Sequence, residues 1–447
     1  MNDHILSPKD FPNPVQPGRK VVVTGLGLAT ALGLEVEQNW RRVLAGESGV
    51  SRVRLEVAGK SQVQAAAQVS EEDWGAICRE FPLEAGTQGE RRTLFALWAA
   101  KKALQDAGAG GLQGERSRFG VAVGAGLGVN RLEDISRWIS DKKFDSVRFA
   151  GELDRVSRDS ILCNNSNAAA ARIADSFDLK GLNGTITSAC ASATLALGSA
   201  YRAIKRGQAD LVVAGGADSM INPVGLVFFV LLGSAAVAKM EPERLCRPFD
   251  RKRSGLVMGE GAGMAVLEEE SHALARGARI YAEVAGFAST MDGWRLTAPH
   301  PEGHGAEVCM SRALADSGIP AEGIDYINAH GTSTKLNDLA ETIAIKKLFG
   351  NCPSFPAVSS SKSLIGHLLA GSGGPEFAFT VLSTAEDRIH PTINLSSPDP
   401  KCDLDYVPNV ARDKVVRAAL SNSFGFGGQN ATIVVKKYWR EEGSIAS

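Results

Sequence analysis

The chain has 447 residues, 44% of them hydrophobic, with 49 basic and 50 acidic side chains and a formal net charge of −1. Charge this evenly balanced creates no field that would gather nucleic acid or an anionic membrane, and the length allows an extensive core in two domains or two fused halves. Seven scattered cysteines, with no CxxC pair and no metal-ligand spacing, read as reduced thiols of a cytoplasmic protein.

Residues 1–18 are polar and proline-rich, lack the basic start and apolar stretch of a secretory signal, and read as a loose arm. VVVTGLG at 21–27 is a β-branched run closed by glycine. Its glycines fail the dinucleotide fingerprint, because Thr30 stands where the third glycine of GxGxxG would fall, and they read as a tight strand-to-helix turn. Apolar residues three and four apart predict a helix over Arg92 to Ala107. FGVAVGAG at 119–126 predicts the next strand, Ala191 to Arg206 another helix and LVVAGGA at 211–217 another strand. The most apolar run, Val224 to Ala238, is shorter than the roughly 20 residues that span a bilayer and is interrupted by Gly225, Gly233 and Ser234, so it predicts a buried segment. Strands follow at 261–270, Tyr281 to Ala288 and 326–332, and a last glycine-rich pair runs from Phe424 through ATIVVKKY at 431–438.

This alternation predicts an α/β fold with a largely parallel, buried sheet, helices on both faces and a site at the carboxyl ends of the strands. Each half of the chain would begin with a strand and carry a late glycine-rich strand pair, which divides it at 19–271 and 272–447. No low-complexity linker separates the halves, so they are expected to pack as one body.

Three residues in small-residue settings are candidates for chemistry. Cys190, in TSACASA at 187–193, stands at the predicted start of a helix, where unpaired N–H groups and the dipole would stabilise a thiolate nucleophile. A buried structural cysteine is the alternative that the local sequence leaves open. His330 follows a β-type run and precedes Gly331, which puts it where a strand opens into a loop. His367 lies in SKSLIGH, with Lys362 before it and Glu376 after it. Neutral imidazoles can hold a developing oxyanion, and a lysine and a glutamate can fix their orientation and charge. Zinc is the rival use of such residues, but no two of them lie close in sequence, and no metal is expected. The other histidines, at 4, 272, 300, 304 and 390, read as core or surface groups. In NSFGFGGQN at 422–430, two phenylalanines among glycines form either a mobile gate or an ordinary turn.

Together these segments resemble an elongating β-ketoacyl-acyl carrier protein synthase, of the ketosynthase II branch of the thiolase-like superfamily. The likeness runs from Arg19 to Tyr438 and includes VVAGGAD at 212–218, RPFDRKRSGLVMGEGAG at 247–263, NAHGTSTKLND at 328–338 and SSSKSLIGHLLAGSGG at 359–374, besides TSACASA and NSFGFGGQN. The resemblance implies two βαβαβ-type halves in a five-layered αβαβα body, a homodimer, acyl carrier protein as partner and no cofactor. It implies that Cys190 takes the acyl chain as a thioester and that His330 and His367 hold the malonyl thioester carbonyl during decarboxylation. Lys362 with Glu376 would support His367, the N–H groups of Cys190 and Phe426 would form an oxyanion hole, and Phe424 and Phe426 would gate the channel. Ile135 and Phe229 would line it.

Neighbouring functions of the superfamily fit less well. Thiolases carry a second cysteine in the glycine loop, initiating ketosynthases an asparagine in place of the second histidine, and chain-length factors no nucleophile. The chain departs from the elongating pattern at Gly233, where an arginine usually helps to receive the carrier protein. Arg91, Arg92 and Lys239 are the cations expected to take over docking, and the segment 148–167 and the bulky residues around Phe229 suggest an unusual acyl group. Fatty acid elongation is the expected activity. A specialised polyketide, polyene or modified fatty acid pathway, or a partner-dependent subunit, is the alternative.

Overall fold

The computed structural model describes residues 18–53, 65–83, 90–109, 114–126, 136–141, 143–156, 165–237 and 239–439. The arm expected at the N-terminus, all but its last residue, and Ile135 lie outside the described residues.

Ten strands make the main sheet: β1 (Val21–Ala29), β2 (Phe119–Ala125), β3 (Asn183–Ile186), β4 (Leu211–Asp218), β5 (Gly261–Glu269), β6 (Ala282–Met291), β7 (Tyr326–Asn328), β8 (Ala357–Ser359), β9 (Ala418–Phe424) and β10 (Gln429–Lys437). Outward from a junction between β1 and β6, one half runs β1-β5-β4-β2-β3 and the other β6-β10-β9-β7-β8, so each strand in one half has its counterpart five places later. The pairing senses repeat as well: two antiparallel contacts nearest the junction, then two parallel ones. Three residue pairs, Val21 to Val23 against Ala282 to Val284, join the halves.

Seven helices matter for the site: α1 (Arg91–Asp106), α2 (Ala168–Ser176), α3 (Ser192–Lys205), α4 (Pro223–Leu231), α5 (His304–Ser317), α6 (Lys335–Phe349) and α7 (Gly373–Glu386). Helix α1 covers β1, β4 and β5 on one outer face with α2 beside it, and α5 covers β6 and β10 on the other with α6 beside it. Helices α3 and α7 touch each other and strands of both halves, and so form the middle of five layers, α, β, α, β, α. Strands β1, β4 and β5 are buried along their whole length, which is why they read as continuous apolar and glycine runs rather than alternating ones.

The same local device seats a helix in each half. Strand β1 has a bulge between Val23 and Gly25, and β6 has one between Val284 and Gly286. A Cβ at Gly25 would lie 2.1 Å from the Ala103 carbonyl oxygen of α1, and one at Gly286 would lie 2.5 Å from that of Ala313 in α5. Only glycine admits such an approach.

Three sequence expectations change. The sheet is mixed rather than largely parallel, with five of its nine pairings antiparallel, because strands joined by a short turn, as β9 and β10 are, can only pair antiparallel. The run at 224–238 is not a buried segment: Gly225, Leu226 and Phe229 of α4 face inward, while Val224, Val227, Phe228 and Leu231 are exposed. A helix with neighbours on one side buries only that side, however apolar the other. The last strand pair also begins earlier than expected, because β9 spans Ala418–Phe424 and the glycines after it form the turn into β10.

Candidate active site

The candidate residues meet at the carboxyl ends of the parallel strands. Cys190 follows β3, His330 follows β7, Lys362 follows β8 and Phe424 ends β9. One sulfur and two ring nitrogens of Cys190, His330 and His367 lie within 4.8 Å of one another, and all three residues are buried.

Cys190 is placed by a strained turn. Ala189 has φ +46°, and Ser192 Oγ accepts the Ser188 N–H at 2.7 Å and donates to the Ala189 carbonyl at 2.7 Å. The small residues of TSACASA are what this turn tolerates. The expected lowering of the thiol pKa is not found. Helix α3 starts at Ser192, beyond the cysteine, and burial pushes the thiol up to about 11, against the opposing effects of the Lys362 charge and the Phe426 N–H. Below that value the thiolate fraction rises tenfold per pH unit. Alkylation of Cys190 by iodoacetamide, followed by peptide mass spectrometry, is therefore expected to accelerate about tenfold from pH 7 to 8 and again from 8 to 9. A plateau below pH 8 would show a thiol that is already ionised.

The hydrogen bonds assign the tautomer of each imidazole. Lys362 Nζ lies 3.2 Å from His330 Nδ1 and has only N–H groups to give, so Nδ1 accepts and the ring proton sits on Nε2. The Leu369 N–H donates to His367 Nδ1 at 3.1 Å, which puts that proton on Nε2 as well, 3.2 Å from the Cys190 sulfur. Burial, with the Lys362 charge adding to it, holds both rings well below the ordinary imidazole pKa, so both are neutral donors. Their lone pairs point away from the sulfur, which suits an oxyanion rather than a zinc ion.

Lys362 hydrogen-bonds His330, while its charge bears on both rings. It is fully buried in contact with the Glu376 carboxylate. Burial raises the Glu376 carboxyl, and the Lys362 ammonium acts in the opposite sense. His367 takes its support from the Ser372 hydroxyl, 2.7 Å from Nδ1, and from the backbone.

Two carboxylates that the sequence reading missed hold the His330 loop. Glu341 accepts the N–H groups of His330 and Gly331, each at 2.8 Å, and Asp338 accepts that of Thr332 at 3.0 Å. Burial pushes the Glu341 carboxyl up to about 7. Their signal was present: two acids one helical turn apart on the inward face of α6, directly after the histidine loop.

The glycine loop lies over the sulfur. Phe424 meets the His330 ring edge-on at 5.9 Å, and Phe426 stacks on Phe229 at 6.5 Å. Gly427 and Gly428, at φ +87° and +81°, turn the chain back into β10. A cavity of about 380 Å³ runs from the three catalytic candidates past Phe424 and Phe426 to Lys335 and Thr297 at the surface. Gly233 also lines it, at φ +65°, with no atom of the described residues within 4 Å of a Cβ placed there. Of the cations expected at a docking patch, only Lys239 is exposed. Arg91 pairs with buried Glu260 and lies over the Trp74 ring, and Arg92 is buried, donating to the Gly126 carbonyl and pairing with Glu90. Arg92 is thus turned inward, and Arg91 is half-buried, each held by a carboxylate.

A buried thiol beneath two converging imidazole donors, at the strand ends of a five-layered fold, matches the layout of acyl-condensing enzymes. The chain belongs to the β-ketoacyl synthase family: the family's N-terminal domain matches residues 18–273 and its C-terminal domain residues 281–396. It is 40% identical over 421 residues to the 3-oxoacyl-[acyl-carrier-protein] synthase 2 of Synechocystis sp., covering 94% of this chain and 98% of that one. It is 39% identical over 419 residues to the protein of the same name from Coxiella burnetii, covering 94% and 99%. Among solved structures, a type II PKS ketosynthase in complex with its acyl-carrier protein matches with a TM-score of 0.84 at 31% identity, over 95% of this chain and 100% of that one. A β-ketoacyl synthase from Burkholderia phymatum matches at 0.82 and 34%, over 94% and 100%.

Proposed function

We propose that this protein is an elongating 3-oxoacyl-[acyl carrier protein] synthase of fatty acid synthesis, with Cys190 as nucleophile and His330 and His367 as the donors that drive decarboxylation. In the first half-reaction the Cys190 sulfur bonds to the acyl carbonyl, the bond from that carbonyl to the carrier's sulfur breaks, and the thiol proton leaves on the carrier. The Phe426 N–H, already directed at the sulfur, takes the oxyanion.

In the second, the two Nε2–H groups hold the malonyl thioester oxygen. The bond to the carboxylate breaks, CO2 departs, and its electron pair passes into an enolate. The enolate carbon attacks the acyl-enzyme carbonyl, the bond to Cys190 breaks, and the departing thiolate takes a proton from solvent. The product is a 3-oxoacyl chain two carbons longer, made without an organic cofactor. The reading is carried by the occupation of both Nδ1 atoms by donors, which commits both Nε2–H groups to the substrate side.

Intact-protein mass spectrometry after incubation with acyl carrier proteins bearing different chains tests it. Mass added to Cys190, and lost again when malonyl carrier is supplied, is expected from fatty acyl groups. Acylation only by other acyl types, or only with an added subunit, would move the protein to a specialised pathway. Two observations favour keeping that second reading: Gly233 in the cavity wall, and the likeness at 32% identity and a TM-score of 0.82 to the ishigamide ketosynthase/chain length factor. We take the protein to act in the cytoplasm as a homodimer built from the halves 19–271 and 272–447. The terminal strand β3 and the apolar outward face of α4 are surfaces that a second copy would cover. No helix among the described residues is long and apolar enough to cross a membrane.

A further inference from the structure

Strand β4 ends in Asp218, a carboxylate with 3% exposure that takes no part in the chemistry above. One of its oxygens accepts the Ser219 N–H at 2.8 Å and the other the Ala370 N–H at 3.0 Å. Between Ala370 and His367 stands Leu369, at φ +49°, in the left-handed region that a bulky side chain avoids. The Leu369 N–H is the donor to His367 Nδ1. The two peptide N–H groups flanking the strained residue are therefore both held, one by the imidazole and the other by the carboxylate. Gly371 keeps this loop against the strand end, since a Cβ there would lie 2.9 Å from the Asp218 nitrogen.

The other neighbour of Nδ1 cannot fix the tautomer. The Ser372 hydroxyl can donate or accept, whereas the Leu369 N–H can only donate. If Leu369 relaxed to an ordinary φ, the imidazole could place its proton on Nδ1 toward Ser372 and turn a bare Nε2 toward the substrate oxygen. Asp218 is itself anchored. Ser219 Oγ donates to Glu260 at 2.8 Å, Arg91 pairs with Glu260, and the charges of Arg92 and Glu90 bear on the Asp218 carboxyl. The two arginines thus belong to the far end of a polar chain that reaches His367.

We propose that Asp218 is a positioning residue for decarboxylation: by holding the Ala370 N–H it keeps Leu369 left-handed and the Nε2 proton of His367 on the substrate side. This rests on the ketosynthase reading. The experiment measures CO2 release from malonyl carrier, acylation of Cys190 by mass, and histidine ¹⁵N spectra, in wild type, Asp218→Ala, Asp218→Asn and Ala370→Pro. Asp218→Ala is expected to slow CO2 release on the order of 10- to 100-fold, as loss of a group that orients a catalytic ligand does, while acylation stays within about threefold. Its His367 signals should move toward the Nδ1-protonated form. Asp218→Asn, which keeps an oxygen for Ala370, should restore most of the loss. Ala370→Pro removes the same hydrogen bond from the donor side with the carboxylate intact, and should reproduce the split even if Asp218→Ala does not fold.

Equal loss of both half-reactions in the folded variants, no loss in either, or an unchanged His367 tautomer would overturn the proposal. A wild-type enzyme that neither takes up acyl groups nor releases CO2 would instead overturn the ketosynthase reading on which it rests.

Discussion

Cys190→Ala is expected to abolish 3-oxoacyl product, by at least about 10³-fold, while CO2 release from malonyl carrier continues within roughly tenfold of wild type. The asymmetry follows from the geometry. In the proposed reaction the enolate is held by two Nε2–H donors whose orientation is set by Lys362 and the Leu369 N–H, and neither depends on the sulfur. The sulfur would carry the acyl group, and without it the enolate would have no electrophile. Alanine also removes the thiol from a buried position 3.2 Å from His367 Nε2 without adding bulk, so the imidazole keeps its place. Product analysis together with CO2 measurement checks this. Parallel loss of both would mean that the thiol contributes to decarboxylation itself.

Lys362→Met should damage both catalysis and stability. It removes the donor that commits His330 to the Nε2–H tautomer, and CO2 release should fall on the order of 10²-fold. It also leaves Glu376 buried without its ammonium, beside an Oε2 that already has no hydrogen-bond partner among the described residues. Breaking one side of a buried pair costs about 3–5 kcal/mol of stability. Denaturant unfolding should show that loss. Combining Lys362→Met with Glu376→Gln removes the stranded carboxylate, so it should recover much of the stability and none of the decarboxylation. Recovery of both would reduce Lys362 to a structural role.

Much of the fold was legible because its signals are local. Glycine-closed β-branched runs gave β1, β2, β4 and β7 to within a few residues, and helical spacing gave α1 and α3. The exposed face of α4 was not legible, since hydrophobicity records a preference for burial and not the supply of neighbours. Nor were the bounds of β9, which ends in the phenylalanine at which the last strand pair was expected to begin.

The sequence by itself determined the chemistry available: one thiol, two imidazoles and an ammonium–carboxylate pair, each beside residues small enough to bring backbones together. Only the tertiary structure decided how they work. It placed Lys362 on His330 and the Leu369 N–H on His367, buried Cys190 until its thiol rose to about 11, turned Arg92 inward and engaged Arg91 with Glu260. The reason is one of range. Strand and helix periods arise between residues two to four apart, whereas tautomer, burial and charge are set by groups brought from opposite halves of the chain, as Asp218 is to Ala370.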